Sequence, residues 1–127
     1  MNFEKVVFGF FIVLALTLNF GFFIGGIDNP QHHNVYELFA ALVVSLIATV
    51  LKFGERTQIG AVLLATSLVA DLQLIAAAIV WGAAVYVTGV GLSTHVMSSI
   101  ISLSGGAVLA NLLSVTLLII ETVTMRR

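Results

Sequence analysis

Long apolar stretches separated by short polar ones dominate the chain. The first runs from Val6 to Ile24 and the second from about Val35 to Leu51, with Tyr36 and Glu37 at one mouth and Lys52 at the other. The third begins at Ile59 and stays apolar to about Val87, and the fourth runs from about Met97 to Ile120. A bilayer core about 30 Å thick is crossed by about 20 apolar helical residues. The pattern therefore predicts an all-α membrane protein of four transmembrane helices, over about 6–24, 35–51, 59–80 and 97–120, in a single domain covering 1–127. The third stretch exceeds a crossing: about 29 helical residues reach about 43 Å. Trp81 and Tyr86 favour the headgroup level, which ends the crossing near Val80. Gly82, Gly89 and Gly91 then disfavour regular helix toward the end of the stretch.

Composition strengthens this reading. Apolar residues make up 60% of the chain and charged ones 9%, whereas a soluble domain carries about 45–50% and about 25%. Too few polar groups exist to cover a soluble surface, and lipid removes that need. The net charge of −1 leaves no basic footprint for nucleic acid. The absence of cysteine excludes disulfides, thiol chemistry and thiolate metal sites. Val6–Ile24 is longer than a signal-peptide apolar region and no small-residue cleavage pattern follows it, so it reads as a retained helix. With four crossings, Lys5, Lys52, Arg56, Arg126 and Arg127 share one side. The positive-inside rule makes that side cytoplasmic, with both termini there. No similarity between the two halves suggests an inverted repeat.

Polar groups inside the apolar stretches are the candidate chemistry. Asp71 lies about 18 Å beyond Ile59 along a helix, near the bilayer midplane, where a carboxylate is costly and usually faces a bundle interior or a hydrated path. Gly60, Ser67, Asp71, Ala78 and Gly82 share one small, polar stripe by their spacing. Asn111 holds a comparable depth, with Ser104, Ala107 and Ser114 at helical spacing, and Gly106, Ala110 and Ser114 form a small-xxx-small pattern. Gly9, Val13, Thr17, Gly21 and Gly25 make a further stripe in the first stretch, where Asn19 adds an amide; Ser45 and Thr49 supply hydroxyls in the second. Two readings stand. In one, Asp71, Asn111, Gln73, Ser67 and Asn19 line a hydrated path with Asp71 as its cation or proton site. In the other, Asp71 bonds Asn111 or a hydroxyl and only fixes helix packing; helix packing is also the expectation for Gly21, Gly25, Gly106, Ala110 and Ser114.

Weaker signals remain. His32, His33 and Asp28 adjoin in the loop opposite the basic side, and imidazole suits zinc or copper. Metal sites usually need three or four ligands, and the same loop also reads as a helix start with Asn29 or Asn34 capping and Pro30 breaking the chain. Histidine protonation is a third reading. The run Val87–Thr94, VTGVGLST, lacks the full potassium-filter signature and reads as a Gly-rich turn. No hydrolase, kinase, metalloprotease or dinucleotide motif is present, so neither enzyme activity nor a cofactor is expected.

The runs DNPQHHNVYELFAALVVSLIATVLKFGERTQIGA and LLATSLVADLQLIAAAIVWG resemble those of a small family of four-helix bacterial inner-membrane proteins with no named function. The resemblance implies the four-span fold and a multi-pass location in the bacterial inner (plasma) membrane, and supplies no activity. The length is similar to that of small fluoride channels, but their glycine-asparagine and phenylalanine-rich filter motifs are absent. The leading expectation is a homo-oligomeric ion-conducting or ion-transport protein embedded in the lipid bilayer, with Asp71 and Asn111 on the polar path and a pore between subunits. The runner-up is a non-conducting accessory subunit of a larger membrane-protein partner.

Overall fold

The computed structural model describes residues 3–24, 35–53, 57–89 and 93–125. Its elements, in chain order, are α1 (Phe3–Phe23), α2 (Val35–Lys52), α3 (Gln58–Gly82), a π-helical turn (Ala83–Val87) and α4 (Thr94–Met125). Three of the four helices are long and apolar enough to cross a membrane: α1, α3 with its π-helical extension, and α4. Helix α2 has 18 residues, about 27 Å at about 1.5 Å per residue, slightly short of the hydrocarbon core.

The ends of the helices have local causes. Thr57 caps α3, its Oγ1 accepting the Gly60 amide at 2.9 Å. Helix α3 runs to Gly82, just past the expected end of the crossing at Val80, with Gly82 in helical backbone. The chain then widens into the π-helical turn, where the Thr88 amide reaches the Ala83 carbonyl at 2.8 Å and the Thr88 hydroxyl donates to the same oxygen at 3.2 Å. Gly89, at φ 71°, ends it in the left-handed region that glycine enters without a Cβ clash. Helix α4 begins at Thr94, earlier than the expected Met97, because Ser93 Oγ accepts the Val96 amide at 3.2 Å.

Each helix packs against its sequence neighbour, and α4 returns to α1, closing a ring. Side-chain pairs set the direction at every contact. Lys52 meets Phe8 and Glu37 meets Gly21 between α1 and α2. Thr49 meets Asp71 and Phe39 meets Trp81 between α2 and α3. Thr66 meets Ser114 and Gln73 meets Gly106 between α3 and α4, while Lys5 meets Glu121 and Phe23 meets Gly105 between α1 and α4. All four contacts are antiparallel, giving an up-down-up-down bundle.

The bundle differs from a soluble one in its apolar exterior and in the polar side chains enclosed within it. Phe10, Phe20, Leu72, Ile79, Leu109 and Ile119 are exposed, while Asn19, Ser45, Ser67, Ser104, Asn111 and Ser114 are fully buried. Water would penalise that arrangement, whereas hydrocarbon favours it. Two apolar clusters occupy the interior. One, around Phe22, Leu38, Leu74, Ala77, Met97 and Ile100, fills the half that bears Trp81. The other, around Phe8, Ile12, Ala48 and Leu63, fills the half that bears Lys5 and Lys52.

Candidate functional site: a polar layer at mid-bundle

Asp71 stands near the middle of α3 with its carboxylate turned toward α2. Ser45 Oγ donates to Oδ1 at 2.7 Å, and Thr49 Oγ1 donates to Oδ2 at 2.5 Å. The two hydroxyls can reach one carboxylate because residues four apart lie on one helix face. Thr49 Oγ1 also lies 3.0 Å from the Ser45 carbonyl. A hydroxyl has one proton. Thr49 therefore either directs it at Asp71, or gives it to the Ser45 carbonyl while a protonated Asp71 donates to Thr49. The same cage fits both forms of the carboxyl group.

On the other side of α3, Thr66 and Ser114 share a hydrogen bond at 2.5 Å, and Thr66 Oγ1 donates to the Leu63 carbonyl at 3.0 Å. Their pairing, with Gln73 against Gly106, sets the register of α3 on α4. By that register Asn111 stands level with Leu68 and Val69, between Ser67 and Asp71. Both polar atoms of its amide are buried without a hydrogen-bond partner, and so is Ser67 Oγ. An orphaned buried amide or hydroxyl costs roughly 1–3 kcal/mol. Asn111 and Ser67 thus leave three buried polar atoms at one level that an ordered water or an ion would satisfy.

The remaining candidates divide. Ser104 donates to Asn19 Oδ1 at 2.7 Å, and Asn19 Nδ2 has no partner. This pair lies about two turns nearer the Trp81 end than Asn111. The structure sets Gln73 apart: two residues from Asp71, it faces about 200° around the helix, half-buried with its amide against Gly106. Gly106 permits that approach, since a Cβ there would meet the Gln73 amide at 3.0 Å. Gly21 faces the Glu37 carboxyl at 2.7 Å from where its Cβ would stand. Buried Ala110 borders an open, mostly apolar groove of about 270 Å³ between α3 and α4, lined also by Thr66, Val69, Gly106, Leu109 and Leu113. Asp28, His32, His33 and Gly25 lie outside the described residues.

Thr66, Glu121, Phe8 and Phe39, not singled out from sequence, complete the picture. Thr66 sits one position off the Ser67–Asp71 stripe, so spacing alone did not reveal it. At the basic end Lys5 Nζ contacts the buried Glu121 Oε1 at 2.8 Å, and buried Lys52 places its Nζ 4.5 Å from the centre of the Phe8 ring. Neither lysine reaches the depth of Asp71. At the opposite end Trp81 stacks edge-on between Phe39, at 5.6 Å, and Tyr86, at 5.7 Å, an aromatic group of the kind found at bilayer interfaces.

These features define a class: an all-helical bundle with membrane-length helices, an apolar exterior and a polar layer enclosed at its middle. Within that class the chain belongs to a family of unknown function, DUF6394, whose model matches residues 32–122. The matched region contains Ser45, Asp71 and Asn111. No curated protein and no solved structure matches the chain.

Proposed function

We propose that this protein is an ion-transport protein of the bacterial inner membrane, with its termini in the cytoplasm, α2 as a fourth crossing, and Asp71 as the group that takes up and releases the ion. The observation that carries the reading is the mid-bundle layer. A carboxyl group held by Ser45 and Thr49 shares its level with the unpartnered Asn111 and Ser67. A layer serving only to fix helix packing is expected to be fully satisfied, because incomplete polar networks are worse than apolar cores. Apolar clusters lie toward both ends of the layer, so the conformation is occluded and transport requires it to open. The polar residues face the interior of one chain, which favours a site within each chain over the expected pore between subunits.

The open groove beside Ala110 favours a second reading, a non-conducting accessory subunit that docks a helix of a larger transporter or channel there. Purified protein in liposomes, tested for flux of protons, sodium, potassium and fluoride, separates the two. Saturable flux of one cation supports transport. No flux, together with stoichiometric copurification of a larger membrane protein, supports the accessory role.

A further inference from the structure

The unpartnered atoms at mid-bundle point to the identity of the ion. We propose that the layer is a binding site for one sodium-sized alkali cation per chain, with Asp71 and Ser67 from α3, Ser45 and Thr49 from α2, and Asn111 from α4. The proposal rests on the transport reading for its purpose and on the layer's own chemistry for its substance. Every candidate ligand atom is an oxygen: carboxylate, three hydroxyls and an amide carbonyl. Hard cations take such sets, and soft metals do not.

Charge decides the valence. Asp71 is the one acidic group at this depth among the described residues, and Lys5 and Lys52 stay at the basic end. A single carboxylate neutralises a monovalent cation. A divalent ion would leave a net positive charge in a low-dielectric interior, at a heavy desolvation cost. Protonation of Asp71 also neutralises the layer, but it gives no partner to Asn111 Oδ1 or Ser67 Oγ, both buried and unpartnered. A cation in the bundle interior at this level would offer those acceptors a partner and draw on Asp71, which faces α2, at the same time. Size follows from the spacing: Ser45 and Thr49 oxygens already lie 2.7 and 2.5 Å from the carboxylate. Opening such a set around a small ion needs less movement than around a large one.

The test is radiolabelled sodium binding to the purified full-length chain in detergent micelles, with choline chloride holding ionic strength constant. The expected result is saturable binding of about one ion per chain, lost in Asp71→Asn, weakened at least tenfold in Asn111→Ala and several-fold in Ser67→Ala. Gln73→Ala should bind as the wild type does. Should Asp71→Asn fail to fold, the two milder variants carry the test, with a sodium-dependent rise in Tm as the second readout. Absence of saturable binding to the folded wild type overturns the proposal, and so does binding that Asn111→Ala and Ser67→Ala leave unchanged. Proton flux from liposomes without sodium binding would overturn this inference and leave the transport reading standing. Sodium binding without any flux would do the reverse.

Discussion

Thr49 and Ser114 make hydrogen bonds of the same length, 2.5 Å, inside the same bundle, yet to different partners. One reaches a carboxyl group and the other a neutral hydroxyl. Intramembrane hydrogen bonds between neutral groups contribute about 0.6–2 kcal/mol, and bonds to charged groups about 1.5–3 kcal/mol. If Asp71 holds its charge in the folded protein, Thr49→Val should destabilise by about 1.5–3 kcal/mol and Ser114→Ala by no more than about 2 kcal/mol. Denaturant titration in mixed micelles measures both. Equal small losses would show a neutral Asp71. The depth of Asp71 and its stripe with Ser67 were legible from spacing alone, because helical periodicity and bilayer thickness fix them. A hydroxyl partner was among the expectations, but which hydroxyls it would be was not legible. Serine and threonine are common in membrane helices, and only the packing of α2 on α3 selects Ser45 and Thr49 as the two that face the carboxylate.

At the scale of helices, the small residues of α4 form one seam with α3. Gly106 and Ala110 both border the groove, Gly106 against the Gln73 amide and Ala110 buried in the apolar interior. Gly106→Leu should cost about 1–3 kcal/mol through overpacking. Ala110→Leu, at a buried position beside it, should likewise cost about 1–3 kcal/mol. Thermal unfolding measures both, and size-exclusion chromatography of Ala110→Leu reports whether the groove is an assembly surface. Wild-type stability and assembly of Ala110→Leu would refute this packing. The sequence pattern showed one stripe of Gly106, Ala110 and Ser114; it did not show that Gln73 closes one end, since side-chain reach depends on register between helices. The four helices were legible from their apolar runs; three reach membrane length among the described residues, and α2 is the short one. The end of α3 was legible only in part: the glycines signalled a stop, but the π-helical turn and the stop at Gly89 depend on Thr88 doubling its bonds to Ala83.

For the whole molecule, the charge distribution predicts orientation. Lys5, Lys52 and Glu121 gather at one end, Trp81 and Tyr86 at the other. The chain has no cysteine, so single-cysteine variants report cleanly. In intact cells His95→Cys should react with an impermeant thiol reagent, and Gln58→Cys should not; the opposite pattern would invert the topology. The central claim concerns Asp71, and paired flux measurements test it most directly. Wild type and Asp71→Asn are reconstituted at equal density, each checked by its melting curve, and sodium uptake is driven by a concentration gradient. Asp71→Asn keeps the shape and most hydrogen bonds of the side chain and removes its charge. The account predicts a folded variant whose saturable uptake falls at least tenfold. Undiminished uptake by a variant as stable as the wild type would contradict it.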